Sequence, residues 1–244
     1  MNELLAGKGA IITGAAEGLG KAIAFAYAQA GMRLALIDIQ AEKLRAVVDE
    51  LTTSGADCYA VIADLSDAAA TETAAVKSLA LIGTPRVLVH NAALLNERPF
   101  AEVDLLSWQR ELNVGLQAAY ILTHAVWEPM TVAGGGSIIY VSSRSGIVGF
   151  AGESVYCASK HGLEGLMKCL AIEGASRNIA VNTVTPGMYM RTPMSERTYP
   201  EALKRQWVDP SVLAPAFVQL AAQTADGITG QRVSAWEMVH EGKS

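Results

Sequence analysis

The chain has 244 residues, of which 51% are hydrophobic and 18% are charged, and its net charge is −5 at pH 7. This composition excludes a disordered chain and argues against nucleic acid as a partner, since surfaces that bind nucleic acid are basic. No apolar run is long enough to span a bilayer and the N-terminus does not resemble a signal peptide, so we expect no membrane association.

Short apolar segments alternate with longer helical ones in the first half of the chain. Buried strands are predicted at residues 9–13, 33–39, 58–62 and 86–89. Helices are predicted between them, at residues 21–30, 41–54 and 68–82, and glycines mark the ends of the first two.

The second half begins with one long predicted helix, at residues 105–130. A strand at 137–141, a second long helix at 154–177 and a strand at 179–184 follow, and then a helix at 211–222 and a short strand at 231–235. Strands that are apolar throughout and alternate with helices predict an α/β fold of one domain, residues 1–244. We expect a Rossmann-type, doubly wound parallel sheet of about seven strands with helices on both faces. Ligands bind beyond the carboxyl ends of the strands in such a sheet.

The cysteines and histidines indicate neither disulfides nor a metal site. Cys58, Cys157 and Cys169 form no CxxC pair and are expected to be free thiols of a cytoplasmic protein. The four histidines lack metal-ligand spacing and are interpreted as structural or surface residues, so no metal is expected.

A glycine-rich turn follows the first predicted strand and leads into a helix. Gly14 permits a tight turn, Gly18 permits the close approach of a pyrophosphate, and Gly20 lets the helix pack near the sheet. The N–H groups at the helix N-terminus attract phosphates. The turn therefore indicates a dinucleotide site, and the alternative is a glycine-rich loop that serves only the turn.

Asp38 ends the second predicted strand, where a carboxylate can accept hydrogen bonds from the hydroxyls of an adenosine ribose. Glu17 adds a second negative charge, and the next basic residue after Asp38 is Lys43. Since these carboxylates would repel a 2′-phosphate, they favour NAD over NADP. The alternative role for Asp38 is that of a helix N-cap.

Tyr156 and Lys160 are four residues apart and therefore share one face of the second long helix. A free phenol is a poor base at neutral pH, but a nearby ammonium stabilises the phenolate and lowers the pKa. The pair thus predicts general acid–base chemistry. Ser143, just after the fifth strand, is placed to hydrogen-bond a substrate oxygen, and its alternative role is loop or cap chemistry.

With these features in this order, the chain resembles the compact, single-domain branch of the short-chain dehydrogenase/reductase family over nearly its whole length. The matching motifs are the TGxxxGxG turn (Thr13, Gly14, Gly18, Gly20), Asp64-Leu65, Asn91-Ala92, Asn113, Ser143, Tyr156, Lys160 and Pro186-Gly187. The resemblance implies an NAD-dependent enzyme acting on a CH–OH group. It also implies a homotetramer packed through the two long helices, for which the sequence itself offers only three small residues, Ala158, Gly162 and Gly165.

The resemblance further implies roles for individual residues. Tyr156 would be the acid/base and Ser143 would position the reacting oxygen, while Lys160 would bind the nicotinamide ribose and lower the pKa of Tyr156. Asn113 would hold a water in a proton relay through Lys160. The implied cofactor-binding residues are Gly14, Glu17, Gly18, Leu19, Gly20, Asp38, Asp64, Leu65, Asn91, Ala92, Tyr156, Lys160, Pro186, Gly187 and Thr192.

Three segments depart from the family's usual pattern. His90 and Ala93 stand at the ends of a segment where the family commonly has Asn-Asn-Ala-Gly. One extra residue separates Pro186-Gly187 from Thr192, which would contact the nicotinamide carboxamide. The usual Asp-Gly-Gly close is replaced by Ser-Ala-Trp-Glu at residues 234–237.

Substrate specificity is expected from the loops after the fourth, fifth and sixth strands. The candidate residues are Leu94, Leu95, Ser145, Val148, Phe150, Met188 and Tyr189. Residues 193–207 are interpreted either as a lid that meets a polar or acidic substrate or as a solvated helix face.

The leading hypothesis is hydride transfer between NAD(H) and a secondary alcohol or ketone. One alternative is a non-catalytic NAD-binding regulator on the same fold, against which the Tyr156–Lys160 pair and Asn113 argue. The other is an isomerase or dehydratase of the larger related branch, against which the chain length and the glycine spacing argue.

Overall fold

Seven parallel strands form one sheet in the computed structural model, which describes residues 2–240. The strands are β1 Gly9–Thr13, β2 Arg33–Asp38, β3 Cys58–Ile62, β4 Pro85–His90, β5 Gly136–Val141, β6 Ile179–Thr185 and β7 Arg232–Ser234. Their spatial order is β3-β2-β1-β4-β5-β6-β7, so the chain reverses its direction of travel across the sheet between β1 and β4. This topology confirms the predicted doubly wound parallel sheet.

Helices cover both faces of the sheet. Their bounds are α1 Asn2–Leu5, α2 Gly18–Gln29, α3 Ala41–Thr53, α4 Ala68–Ile82, α5 Leu105–Leu112, α6 Ala118–Val132, α7 Ser154–Gly174, α8 Pro193–Thr198, α9 Ala214–Ala221 and α10 Ala235–His240. No helix within residues 2–240 combines the length and the hydrophobicity needed to cross a bilayer.

Side chains of β1 alternate between two hydrophobic cores, one on each face of the sheet. Ala10 and Ile12 pack with α2 and α9 on one face, while Ile11 packs with α4 and α6 on the other. The period of two in a strand places successive side chains on opposite faces, and an apolar strand therefore contributes to both cores.

The edge strand β3 is not buried on both faces, although burial on both faces is predicted for the apolar strands. Tyr59 and Ile62 of β3 are partly exposed, whereas β1 and β5 are buried throughout. The prediction that every apolar strand is buried on both faces is wrong for β3, because this strand lies at the edge of the sheet and has a neighbour on one side only.

The first long helix is interrupted by a π-helical turn, Asn113–Gln117, between α5 and α6. Gly115 lies in this turn, and a Cβ added there would come 2.9 Å from the Ser159 hydroxyl on α7. The prediction of one regular helix at 105–130 therefore misses a wider turn, which packs against α7. π turns of this kind occur frequently at functional sites.

Other predicted bounds shift by a few residues for local reasons. The second long helix ends in a 3-10 turn, Ala175–Arg177, after which Asn178 adopts a left-handed conformation. The helix predicted at 211–222 begins with a separate 3-10 turn, Pro210–Val212. The last strand stops at Ser234, because α10 begins at the next residue.

The core on the α9 face should be sensitive to loss of volume at Phe217, whose side chain is 0% exposed. We expect Phe217→Ala to lower the free energy of unfolding by about 3–5 kcal/mol, through lost burial and the cavity left behind. The measurement is urea denaturation followed by far-UV circular dichroism.

Phe100→Ala is the matched control, because Phe100 is 74% exposed. It should change the free energy of unfolding by no more than about 0.5 kcal/mol. Equal losses in the two variants would contradict this description of the core.

Candidate active site

A cavity of about 790 Å³ lies at the carboxyl ends of β1, β4, β5 and β6. Most of the site residues predicted from the sequence line it: Gly14, Glu17, Gly18, Leu19, Asp38, Asp64, Leu65, Asn91, Ala92, Ser143, Tyr156, Lys160, Pro186, Gly187 and Thr192. Gly20 and Asn113 are not in its wall. The cavity lies where the topology of an α/β sheet places ligands.

The glycine turn is held by hydrogen bonds to the end of β4. The Thr13 hydroxyl accepts hydrogen bonds from the backbone N–H groups of Asn91 and Ala92, both at 3.0 Å. The Asn91 side-chain amide donates to the carbonyls of Thr13 and Gly14, both at 3.1 Å. Asn91 therefore supports the turn from the neighbouring strand.

Close approach explains why the turn requires glycine. Gly14 and Gly18 have φ values of 64° and 57°. A Cβ on Gly14 would come 2.8 Å from the Asn91 amide, and one on Gly20 would come 2.0 Å from the Gly14 carbonyl oxygen. Gly20 thus packs the start of α2 against the turn and does not face the cavity.

Asp38 is buried beside the turn and uses both carboxylate oxygens. It accepts hydrogen bonds from the backbone N–H of Ala16 at 3.0 Å and of Gln40 at 2.9 Å. The N-cap of α3 is Gln40. The helix N-cap alternative for Asp38 is therefore wrong, and its carboxylate instead joins the end of β2 to the glycine turn.

Glu17 and Lys43 form an ion pair that the sequence does not predict. The Lys43 ammonium lies 2.5 Å from the Glu17 carboxylate, although the two residues are far apart in the chain. Both side chains are partly exposed. The negative charge that the sequence assigns to Glu17 is thus offset by a neighbouring cation.

Lys160 is buried beneath the cavity, with 1% of its surface exposed. Its ammonium donates to the Val141 carbonyl at 2.7 Å and lies 5.3 Å from the centre of the Tyr156 ring. Burial lowers the pKa of Lys160 to about 8, against a partial opposing effect of the Glu164 charge. Perturbed lysines of this kind are typical of functional sites.

The pKa of Tyr156 shifts in the direction opposite to the one expected from the sequence. Burial is the largest cause and raises it, the neighbouring Tyr199 and Glu153 raise it further, and a hydrogen bond with Ser143 lowers it. The net shift is thus opposite to the one expected from the sequence, and the lowering of this pKa by Lys160 remains a prediction. Loss of solvation disfavours the phenolate, and the ammonium makes its close contact with Val141.

Ser143 has the cap role considered for it, and its hydrogen bond to a substrate oxygen remains a prediction. Its hydroxyl accepts a hydrogen bond from the Ser145 N–H at 3.2 Å and caps the 3-10 turn Arg144–Gly146. The same hydroxyl hydrogen-bonds with Tyr156. A residue that caps a turn is held in one orientation, which keeps its side chain next to the tyrosine.

A buried carboxylate beneath Ser143 was not predicted. Glu164 accepts hydrogen bonds from the hydroxyls of Ser142 at 2.5 Å and Thr183 at 2.8 Å, and lies 3.3 Å from the Arg232 guanidinium. Arg232 in turn donates to the Ser143 carbonyl at 3.1 Å. Glu164 lies four residues after Lys160, so helical spacing alone placed it on the same face.

Two predicted residues have partners other than those expected. Asn113 donates from its side-chain amide to the Ser66 carbonyl at 2.8 Å. Thr192 caps α8 by accepting a hydrogen bond from the Ser195 N–H at 3.1 Å, and its methyl group would lie 3.2 Å from a Cβ on Gly18. The relay role of Asn113 and the carboxamide contact of Thr192 remain predictions.

Asp64 holds the loop after β3. Its carboxylate accepts hydrogen bonds from the Ser66 N–H at 2.9 Å and the Ser66 hydroxyl at 2.7 Å. Burial raises the pKa of Asp64, but the Ser66 hydrogen bonds outweigh it and the net pKa is lowered. Its contact with adenine remains a prediction.

The substrate side of the cavity contains six of the seven residues predicted for it: Leu94, Leu95, Ser145, Phe150, Met188 and Tyr189. Val148 is the exception, because it is partly exposed and outside the cavity wall. Segment 193–207 faces both the cavity and the solvent, and its role as a lid remains a prediction. Arg197 and Tyr199 line the cavity, whereas Lys204 forms surface ion pairs with Glu196 and Glu201 at 2.8 Å.

Within residues 2–240, no group of three or more His, Cys, Asp or Glu side chains is arranged to hold a metal ion. His90 is a structural histidine at the end of β4. It is fully buried, and its Nδ1 lies 3.2 Å from the Thr13 hydroxyl. Burial, and secondarily the Lys160 charge, lowers the pKa of His90 to about 3.

Comparison with protein families agrees with this geometry. The model of the family described as short chain dehydrogenase matches residues 8–202. The chain is 34% identical to D-threitol dehydrogenase of Mycolicibacterium smegmatis, over 93% of this chain and 90% of that one. It is 32% identical to cyclohexanol dehydrogenase of an Acinetobacter species, over 92% of each chain.

Solved structures show the same architecture. One is classed as an NAD(P)-dependent gluconate 5-dehydrogenase of Beutenbergia cavernae, with NADP bound at low occupancy. It matches with a TM-score of 0.87 and 32% identity, over 95% of this chain and 96% of that chain. A blue fluorescent protein from a metagenomic library, in complex with NADPH, matches with a TM-score of 0.86 and 29% identity, over 94% of this chain and 96% of that chain.

The depressed pKa of His90 makes stability depend on pH. The folded protein keeps this ring neutral down to about pH 3, whereas an unfolded histidine takes up a proton near pH 6.5. The stability due to neutral His90 is therefore full above pH 6.5 and is lost as the pH falls from 6.5 towards 3. Between pH 7.5 and 5, His90 should lower the free energy of unfolding by about 2 kcal/mol.

The measurement is urea denaturation of the parent and of His90→Asn at both pH values. Asparagine does not titrate, so the variant should lose about 2 kcal/mol less between pH 7.5 and 5 than the parent does. The same pH dependence in both proteins would show that His90 is not buried in its neutral form.

Proposed function

The chain belongs to the short-chain dehydrogenase family, and on this premise we propose that it transfers a hydride between NAD(H) and a secondary alcohol or ketone, with Tyr156 as the general acid/base. One observation carries the proposal: Ser143, Tyr156 and Lys160 line the same cavity as the glycine turn. Proton transfer to or from a substrate and binding of a dinucleotide can therefore take place in the same cavity.

The turn fits the pyrophosphate of a dinucleotide. A phosphate can approach the backbone at Gly14 and Gly18 because neither residue carries a Cβ. Glu17, at the N-cap of α2, makes no side-chain hydrogen bond to the helix, so the N–H groups of the first turn are available to an anion. We assign the adenosine ribose to Asp38 and the nicotinamide ribose to Lys160.

When bound, the nicotinamide supplies the hydride acceptor for alcohol oxidation and the hydride donor for ketone reduction. The protein handles the proton. In oxidation, Tyr156 as phenolate takes the hydroxyl proton of the substrate, which requires that the Lys160 ammonium offset the effect of burial on the pKa of Tyr156. In reduction, its phenol returns a proton to the carbonyl oxygen. Ser143 holds the same substrate oxygen, because its hydroxyl is fixed by the cap and hydrogen-bonds with Tyr156.

We propose NAD as the preferred cofactor. The buried Asp38 carboxylate lies beside the turn, where it would repel a 2′-phosphate. The Lys43–Glu17 pair weakens this preference, since it places an ammonium close by. Two structures similar to this chain contain NADP or NADPH, so the preference is expected to be moderate.

We further propose a cytoplasmic homotetramer packed through α5, α6 and α7. Leu105, Leu106, Tyr120 and Ile172 are exposed apolar residues on these helices, and contact with further copies of the chain would remove them from water. The three cysteines are free thiols, which suits a reducing compartment.

Tyr156→Phe removes the hydroxyl that carries the proton. We expect kcat to fall by at least about 100-fold, in line with the usual contribution of a general acid/base. NAD should still bind, because the ring and the glycine turn are unchanged. Turnover is measured as NADH absorbance with a panel of secondary alcohols, and binding by titration calorimetry.

Tyr59→Phe provides the matched control, since Tyr59 is partly exposed on the edge strand β3 and outside the cavity wall, and it should leave kcat unchanged. Retained turnover in Tyr156→Phe would contradict the mechanism.

Asp38→Ala tests the choice of cofactor. The parent should bind NAD more tightly than NADP. In the variant, the ratio of the NADP dissociation constant to the NAD dissociation constant should be smaller, because a carboxylate no longer opposes the 2′-phosphate. Dissociation constants of both cofactors are measured for each protein. Equal affinities in the parent would remove the role assigned to Asp38.

A further inference from the structure

We propose that the buried carboxylate of Glu153 binds a second hydroxyl of the substrate, so that the preferred substrates are vicinal diols or polyols. This inference rests on the proposed function and specifies its substrate class.

Glu153 is placed firmly in the cavity wall. It is 7% exposed, lines the cavity and lies at the N-cap of α7, three residues before Tyr156. Its backbone N–H donates to the Phe150 carbonyl at 3.2 Å, and its carbonyl accepts from the Cys157 N–H at 2.8 Å. A side chain on such a fixed backbone is suited to recognition.

A row of hydroxyl groups connects Glu153 to the reacting centre. The Ser145 hydroxyl donates to the Glu153 carboxylate at 2.8 Å and lies 3.4 Å from the Ser143 hydroxyl. Ser143 in turn hydrogen-bonds with Tyr156. A substrate whose reacting oxygen lies at Tyr156 and Ser143 therefore places a hydroxyl of the adjacent carbon towards Ser145 and Glu153.

The chemistry of the carboxylate selects a donor. A buried carboxylate is costly unless it is hydrogen-bonded, and it can accept about four hydrogen bonds. Among the described residues, Ser145 is the only side chain that donates to Glu153. The remaining capacity suits a hydroxyl, whereas an anionic group of the substrate at this position would be repelled.

Segment 193–207 presents a second polar group, the Tyr199 hydroxyl, to the same cavity. Tyr199 lines the same cavity as Glu153, and burial and the charge of Glu153 both raise the pKa of Tyr199. The Tyr199 ring also packs edge-on against Tyr189, with 5.8 Å between their centres. Glu153 is itself buried, so a hydrogen bond between its carboxylate and the substrate would be partly shielded from water.

The test compares cyclohexane-1,2-diol with cyclohexanol, which differ by one hydroxyl. The parent should prefer the diol, as measured by kcat/KM with NAD. Glu153→Gln should lower kcat/KM for the diol by about 10-fold and Glu153→Met by about 100-fold, mainly through KM, because hydrogen bonds to charged groups are the stronger ones. Because the Glu153 charge also raises the pKa of Tyr156, which acts on both substrates, the quantity compared is the ratio of kcat/KM for the diol to kcat/KM for cyclohexanol within each protein, and this ratio should fall in both variants.

Glu97→Gln is the matched control. Glu97 is exposed and lies outside the cavity wall, but its charge, like that of Glu153, raises the pKa of Tyr199. It should leave the diol-to-alcohol ratio unchanged.

Equal losses on both substrates in the Glu153 variants would overturn the inference, because they would indicate positioning of Tyr156 instead of recognition. A parent enzyme without a preference for the diol would overturn it too. In both cases the proposed function would stand. Absence of turnover with every alcohol and both nicotinamide cofactors would instead contradict the proposed function, and this inference with it.

Discussion

The hydrogen bonds between the ends of β1 and β4 are the contacts on which the site depends. The Thr13 hydroxyl accepts from the backbone at the end of β4, and the Asn91 amide donates back to the glycine turn. These bonds lie at the point where the strand order reverses. Beyond the last paired residues of β1 and β4, the two segments lead away from each other, and these hydrogen bonds are what connects them there. They fix the glycine turn to the end of β4, at the edge of the cavity that Tyr156 also lines.

Around this frame the protein buries several charged groups. Lys160 is held by the Val141 carbonyl, and Glu164 by two hydroxyls and Arg232. Burial of a charge without partners would cost several kcal/mol, so these contacts are required for the fold as well as for the site. Two hydrophobic cores, one on each face of the sheet, supply the stability that offsets this cost.

Most of the elements follow from local pattern, and the departures have physical causes. Helix α4 begins and ends where the sequence predicts, since Asp67 caps its first turn and Gly83 ends it. The π turn at Asn113–Gln117 is invisible in the sequence, because it forms where α7 packs against Gly115. The exposure of β3 likewise depends on which strand lies at the edge of the sheet, and only the strand order decides that.

The sequence by itself determined the α/β class, the glycine turn and the Tyr156–Lys160 spacing, because each depends on residues close together in the chain. Only the tertiary structure decided the partners of Glu164 and Glu17, which come from distant segments. It also decided the direction of the Tyr156 pKa shift. Solvation and charge act through space, so the surroundings of a titratable group follow from the packed fold and not from its neighbours in sequence.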